Sequence, residues 1–478
     1  MRMPIGSRVE PPNQDHSRRL ADTQKATWLS SQDLRARRPW CLVALALFIG
    51  SLLVHQPLVF VAGLLALVLA IVPELWYRFC FNGLVYQRHL EERRAFFGET
   101  ITLRLSIENR KLLPLPWVEV TDEFPEPLTL QGGKLEQHFK PSRMLLINAF
   151  SLWWFQRVTR RYHIRCAARG VFTLGPLTYR SGDPFGLLTR EQPLELLDTV
   201  LIYPPILPIE RFGLPSRYPF GERATPRRLL EDPLRVIGVR DWAPGDDLRR
   251  VHWKATARTM TLQSKIYEPT TTWSLALFVN INSYANPALG INPALIELVI
   301  TAAASVGAWA AEQGYAVGLF SNGVQATSDV EEPSPPDGTD RLKESYLAAR
   351  VRLPLSSQPE QLPRTLEALA RLVPYFGSPI EQLLLTEQAH LPIGTTIVLV
   401  STANAVTVPG IAALLRARAH GHTVALLLAG DAPVEASGLL VYRLGAEEVW
   451  HEIVAEKTEQ GLSPLAEMVE AGRQLILA

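Results

Sequence analysis

The stretch Ser274–Phe320, SLALFVNINSYANPALGINPALIELVITAAASVGAWAAEQGYAVGLF, decides the fold of the C-terminal region. Ser274–Val279 is an apolar run of the length of a strand buried on both faces. Asn292 followed by Pro293 is a helix cap with proline at the first helical position. The helix reaches about Gln313, and Gly314 ends it. Ala316–Phe320 is a second buried strand. Outward from there, Gln358–Leu372 and Ile380–Gln388 are predicted helices and Thr396–Val400 a third strand. Val408–His420 is a helix, Thr423–Leu428 a fourth strand, Val441–Leu444 a fifth, and Ser463 is placed to cap a last helix. Strands alternating with helices predict a mostly parallel sheet covered on both faces, with ligands at the carboxyl ends of the strands. That rule selects Asn280, Asn282 and Ser283 after the first strand, and Thr402 and Asn404 after the third. Residues 331–340, EEPSPPDGTD, form a solvated excursion.

Upstream lies the densest chemistry, residues 232–269: DPLRVIGVRDWAPGDDLRRVHWKATARTMTLQSKIYEP. Pro244-Gly245-Asp246 is a turn, and Asp246 or Asp247 is placed to cap the helical stretch after it. Arg249, His252, Trp253 and Thr256 recur there at helical spacing. Arg250, Lys254 and Arg258 step by four, which puts them on one face able to hold a phosphate or a carboxylate-bearing partner, with Trp253 stacked beside it. The neighbouring Glu231, Asp232, Asp241, Asp246 and Asp247 supply internal ion pairs instead, and these explain the composition without any ligand. His252 has no nucleophile with it, and no Ser-His-Asp order, HExxH or Walker loop is present.

Between about Val85 and Leu207 the pattern is short and alternating. Thr102–Ile107, Trp117–Val120, Tyr162–Cys166, Leu177–Arg180 and Val200–Tyr203 are predicted strands of a β-sandwich or barrel-like domain. Trp153, Trp154 and Phe155 are expected as core or interface aromatics, and Ser181–Gly186 as a tight turn. Further upstream, Trp40–Val72 is apolar and free of Asp, Glu, Lys and Arg, broken once by His55-Gln56-Pro57. As one helix it would run roughly 50 Å at ~1.5 Å per residue, against a hydrocarbon core of ~30 Å. Two spans joined at His-Gln-Pro fit better, because a proline disfavours helix in the residue before it. Arg18, Arg19, Lys25, Arg35, Arg37 and Arg38 precede the run, and Arg78, Arg88, Arg93 and Arg94 come after it. The positive-inside rule therefore puts both ends in the cytoplasm. Residues 1–37 are polar and without periodicity, as in a disordered tail.

The chain has 478 residues, with 48 Lys+Arg against 47 Asp+Glu and a net charge of +1. That balance excludes a dedicated nucleic-acid coat or a polybasic membrane binder. Hydrophobic residues make up 47%, so a sizeable core can be buried. The mean hydropathy of +0.06 points to a membrane segment. The 3 cysteines, Cys41, Cys80 and Cys166, have no paired spacing, which excludes a disulfide framework and a cysteine-rich zinc site.

The string from Arg240 to Lys265, with Pro-Gly-Asp and Arg250-x-His252-Trp253-Lys254-x-Thr256-Ala257-Arg258, resembles the signature of the domain-of-unknown-function 58 family (DUF58). Arg169-Gly170 and Asp183-Pro184-Phe185-Gly186-Leu187 resemble further elements of that family, and the likeness runs over about residues 38–430. The resemblance implies a prokaryotic, membrane-anchored protein with a von Willebrand factor A-like domain, encoded beside a MoxR-type AAA+ ATPase and transglutaminase-like proteins. It implies no catalytic activity. In von Willebrand factor A domains the first strand-end loop carries Asp-x-Ser-x-Ser, a metal-ion-dependent adhesion site. Here Asn280 replaces the Asp, Asn282 the first Ser and Tyr284 the second, so divalent binding is expected to be severely weakened and the site degenerate.

The expected architecture is multidomain. It has a tail (1–37), a transmembrane helical hairpin (38–79), a β-sandwich-like domain (80–220), the signature segment (221–272) and an α/β von Willebrand factor A-like, Rossmann-like domain (273–478). The expected function is a non-enzymatic interaction or assembly factor at the cytoplasmic face of the cell membrane, with the bilayer and a MoxR-type AAA+ ATPase as partners. No nucleic acid, cofactor or metal is expected. Two other readings differ in class. One is an enzyme or binding protein acting on a phosphorylated envelope precursor, through the Arg250/His252/Lys254/Arg258 segment with Asp246 as the acid-base partner of His252. The other is a metal-dependent adhesin of reversed topology.

Overall fold

The computed structural model describes residues 42–53, 56–216, 219–220, 230–244, 246–270, 273–326, 350–373 and 378–459. The expected N-terminal tail, the His55 turn, Gly245, the 331–340 loop and the Ser463-capped helix fall outside the described residues. The chain divides into two compact units, each assembled from separate segments. One takes Met1–Glu92, Ile101–Ile164 and Leu174–Asp198; the other takes Arg93–Thr100, Arg165–Thr173 and Thr199–Ala478.

The first unit begins with two apolar helices, α1 (Leu42–Leu53) and α2 (Pro57–Phe79). Pro57 opens α2, where the absent N–H costs nothing. The helix runs past the apolar stretch, through the Glu74–Arg78 pair one turn apart, to Phe79. It is long and apolar enough to cross a membrane, and only 11% of its most apolar window is buried. The helices touch where Phe48 and Phe60 bring their ring centroids to 5.7 Å. A Cβ on Gly63 would lie 2.9 Å from Ser51 Oγ, so the contact requires glycine there.

Two sheets come next. One has the order β1 (Leu84–Leu90), β3 (Thr100–Asn109), β8 (Arg157–Arg165), β5 (Thr129–Gln131). The other has β11 (Thr189–Leu194), β10 (Leu177–Gly182), β4 (Leu115–Pro125), β7 (Arg143–Leu152), β6 (Leu135–Gln137). Alternation puts Ile101, Leu103, Leu105 and Ile107 of β3 and Val118, Val120, Asp122 and Phe124 of β4 inside. The inner faces meet through the Tyr86–Tyr179 ring pair at 6.1 Å and through Arg88, whose Nη2 lies 3.1 Å from Asp122 Oδ1. Trp153, Trp154 and Phe155 are not in this core. They occupy the exposed β7–β8 turn, with Phe155 in the left-handed region at φ 52°. Aromatic character alone suggests burial, whereas their position at a strand end keeps them outside.

In the second unit, β15 (Ser274–Val279), β16 (Ala316–Ser321), β18 (Thr396–Thr402), β19 (Thr423–Ala429) and β20 (Leu440–Gly445) are parallel. β17 (Val351–Ser356) pairs antiparallel at the edge of β16. In spatial order the sheet runs β17-β16-β15-β18-β19-β20, so counted along the chain it is 3-2-1-4-5-6, a doubly wound arrangement. The sequence pattern does not predict β17: its Pro354 removes a donor, which an edge strand tolerates. Each central strand is apolar through its middle because alternate residues serve two cores. Leu275, Leu277 and Val279 pack with α4 (Pro293–Glu312), α5 (Gln361–Arg371) and α8 (Glu447–Glu459). Ala276 and Phe278 pack with α6 (Ile380–Gln388) and α7 (Val408–Ala419). Asn292 caps α4 by accepting from Leu295 N, and Gly314 closes its C-terminal end at φ 76°. α4 is also long and apolar enough to span a bilayer, but 78% of its most apolar window is buried, as in a core helix. The first of these cores also takes in Phe96, Val171, Leu201 and Tyr203 from a small sheet of β2 (Arg94–Phe96), β12 (Asp198–Tyr203) and β9 (Gly170–Leu174).

Candidate functional site

The signature segment is an antiparallel ribbon carrying a structured loop. β13 (Leu230–Asp241) pairs with β14 (Gln263–Thr270), with Arg240 opposite Ser264 and Val239 opposite Lys265. The loop between them does not form the single helix that the spacing predicts. Asp247 caps only a 3-10 turn, Leu248–Arg250, by accepting from Arg249 N at 3.0 Å. Val251 then bridges to Ser264, and α3 starts at Trp253 and ends at Thr259. The expected face of Arg250, Lys254 and Arg258 is therefore broken, and only Lys254 and Arg258 share a helix. The bridge at Val251, buried beneath the loop, wins over helical continuity.

The polar residues of the signature are used internally. Asp246 accepts from Arg240 Nη2 at 2.7 Å and from Ala243 N at 3.1 Å. The Arg240 hydrogen bond and then the Ala243 amide hold its carboxyl below the usual range. Gln263 donates from its backbone N to Thr256 Oγ1 at 3.0 Å and from its side chain to Asp241. His252 caps α3: its Nδ1 accepts from Ala255 N at 3.0 Å. With Nδ1 as acceptor, the neutral ring carries its proton on Nε2. Asp246 and His252 are thus each committed to building the loop.

The side chains that the loop leaves outside are apolar and basic. Trp253 is 69% exposed and Met260 90%, beside exposed Leu248 and Leu262. Arg249, Lys254 and Arg258 are exposed as well. Met260 ends α3 in the left-handed region at φ 56°, which turns its side chain out at the tip.

The strand-end residues form a different kind of site. Asn280 is buried; its Nδ2 donates to Ser401 Oγ at 3.0 Å, and its Oδ1 accepts from Asn322 Nδ2 at 2.9 Å and Asn282 N at 3.2 Å. Thr402 Oγ1 donates to the carbonyls of Ser283 at 2.7 Å and Asn282 at 3.0 Å. Ser283 Oγ accepts from Asn292 N at 2.8 Å. Asn280, Ser283 and Thr402 are therefore not open to a partner, as their place at the strand ends suggests. They lock the two loops to each other; of the five predicted residues, Asn404 is exposed and Asn282 half-buried. The side-chain oxygens of Asn280, Ser283 and Thr402 are neutral and engaged in these hydrogen bonds.

Arg169, which the sequence offers only as part of an Arg-Gly element resembling the family, ties several parts of the second unit together. Arg169 is buried; its Nε donates to Glu297 of α4 at 2.8 Å, and its Nη1 donates to the carbonyls of Leu369, Ala370 and Leu372. It satisfies the C-terminal carbonyls of α5 in place of a cap. On the first unit, a cleft of about 600 Å³ is lined by Gln87, His89, Arg104, Ser106, Arg157 and Thr159 among others. Its cations are matched: Arg104 pairs with Glu91 and Arg157 with Glu108.

The ribbon, its loop and the first half of the α/β sheet are where the chain is similar to a known family. Residues 238–373 match the family model described as "Protein of unknown function DUF58". The DUF58 match begins within β13 and ends just past α5. The chain is also 24% identical over 275 residues to the "Uncharacterized protein YeaD" of Bacillus subtilis (strain 168), across 56% of this chain. It spans 60% of that relative's length. Among solved structures it is similar to a cohesin module from a Clostridium perfringens family 33 glycoside hydrolase, at 15% identity and TM-score 0.19 over 24% of this chain and 94% of that one. It is likewise similar to a non-cellulosomal cohesin from Archaeoglobus fulgidus, at 10% identity and TM-score 0.17 over 24% of this chain and 90% of that one. Likenesses this shallow say nothing about what the DUF58 segment does.

Proposed function

We propose that this chain is a membrane-anchored, non-enzymatic interaction or assembly factor. In this reading α1 and α2 cross the bilayer as a hairpin, and the cations on both flanks hold the bulk of the chain in the cytoplasm. The C-terminal unit is a von Willebrand factor A-like domain whose adhesion loop has become structural, a reading supported by the 3-2-1-4-5-6 sheet with its antiparallel edge. The partner is a MoxR-type AAA+ ATPase, with transglutaminase-like membrane proteins as further members of the assembly.

The observation that carries the proposal is the tip of the signature loop. An internally braced loop that holds Trp253, Leu248 and Met260 outward among Arg249, Lys254 and Arg258 has the composition of a protein-binding patch. The test is crosslinking capture from intact membranes, comparing wild type with Trp253→Ala/Lys254→Ala after circular dichroism shows both folded. Recovery of the ATPase with wild type and its loss with the variant is the expected result. Equal recovery with both sinks the assignment of the patch.

A further inference from the structure

Four connections of the first unit lie at one end of its sheets: residues 80–83 between α2 and β1, 110–114 between β3 and β4, 153–156 between β7 and β8, and 183–188 between β10 and β11. Register puts them together. Leu115 at the start of β4 pairs with Leu152 at the end of β7, and Ser181 near the end of β10 pairs with Val118. Hydrogen bonds tie them to α2 and to one another. Trp76 Nε1 donates to Pro114 O at 2.9 Å, Arg110 N to Gly83 O at 2.8 Å, and Lys111 Nζ to the carbonyls of Cys80 and Asn82. Arg190 donates to the carbonyls of Tyr77 and Arg78 at 3.2 Å each, with its guanidinium 5.5 Å from the centre of the Phe81 ring. Buried Asn109 donates from Nδ2 to both Leu113 O and Trp153 O at 2.9 Å, bracing two of the loops against each other.

The exposed apolar side chains of the two sheets and their loops collect at this end. Leu112, Trp153, Trp154, Phe155, Phe185 and Leu187 are all exposed there. Elsewhere on these sheets and loops, among the described residues, only Phe139 and Leu197 are large, apolar and exposed. Trp153 and Trp154 meet edge to face at 5.1 Å, and the left-handed φ of Phe155 holds the turn that presents them. Such a patch on a soluble surface would invite association. Tryptophan and phenylalanine next to a helix long enough to span are the composition of an interfacial anchor.

We propose that this end of the sandwich is seated in the phospholipid interface around the exit of α2, with Trp153, Trp154, Phe155, Leu112, Phe185 and Leu187 entering the headgroup layer. The proposal rests on the reading of α2 as a membrane span. The seat is carried by apolar side chains rather than by free charge: Arg78 pairs with Glu74, Arg110 and Arg157 share Glu108, and Lys111 and Arg190 are turned onto backbone carbonyls. It therefore survives high salt.

The test uses the full chain with Cys41, Cys80 and Cys166 replaced by alanine, reconstituted in phosphatidylcholine vesicles. A polarity-sensitive fluorophore is placed singly through Trp154→Cys, Leu112→Cys, Phe139→Cys or Leu65→Cys, and lipids carry quenchers at shallow or deep positions. The expected result is deep quenching at 65, several-fold stronger shallow quenching at 154 and 112 than at 139, and no change in 1 M salt. Deep quenching at 65 with 154 and 112 no more quenched than 139 overturns the seat and leaves the span standing. No quenching at 65 overturns the span and the seat together. A fluorophore at 154 that turns apolar without lipid quenching shows a protein covering the patch, and overturns the seat.

Discussion

Arg169 is the residue whose loss should cost most. Replacing it by alanine leaves the carboxylate of Glu297 and three carbonyls at the end of α5 without their donor. Breaking a buried pair in this way costs about 3–5 kcal/mol, so Arg169→Ala should lower the urea midpoint sharply, while Arg364→Ala on the solvent face of α5 should barely move it. Asp122 gives a pH signature. Burial pushes its carboxyl up to about 7, against the opposing pull of Arg88. Arg88 also lies 3.6 Å from Asp198, so one guanidinium faces two carboxylates and the buried cluster is neutral with one proton aboard. A folded pKa above the unfolded one stabilises below about 4, and that contribution is lost as pH rises through 7. Wild type should therefore lose stability between pH 4 and 7 through this group, and Asp122→Asn should flatten that slope; an unchanged slope places the proton elsewhere. At this scale the sequence identifies Asn280, Ser283 and Thr402 as polar residues at strand ends but not their task. Whether an amide meets solvent or a neighbouring amide depends on a partner such as Asn322, some 40 positions away.

At the scale of elements, the parallel sheet was legible almost strand by strand, because a run such as Ser274–Val279 has no other stable home than between two covered faces. The signature was legible as a site and not as a shape. Its cations step by four, yet α3 is only 7 residues long, since the Val251–Ser264 bridge takes the chain out of helix first. That pairing is non-local, and no spacing rule contains it. His252 is an N-cap by the same geometry. His252→Ala should cost about 0.5–2 kcal/mol by the usual range for caps, and His252→Asn should recover most of it in thermal denaturation. A catalytic histidine would show no such rescue. The β-sandwich strands were legible where alternation is clean, as in β3. β5 and β6, at 3 residues each, are too short to carry a period.

At the scale of the whole molecule, the two units are not consecutive in sequence. The chain passes from one to the other at Glu92/Arg93, Thr100/Ile101, Ile164/Arg165, Thr173/Leu174 and Asp198/Thr199. A fragment starting at Thr199 lacks β2 and β9, and with them Phe96, Phe97 and Val171 of the larger core. Such a fragment should be recovered aggregated, whereas the intact chain extracted in detergent should be monodisperse by light scattering; a soluble, cooperatively melting fragment would show that those strands are dispensable. The same lacing sets an order of events at the ribosome. Phe96 is made early, and Ile453, which shares its core, emerges only after most of the chain has been translated. At roughly 5–20 residues per second that interval is on the order of tens of seconds. For that time Phe96 waits uncovered just downstream of a helix suited to the bilayer, so the speed of elongation between residue 96 and residue 453 becomes a determinant of how much of this protein reaches its native state.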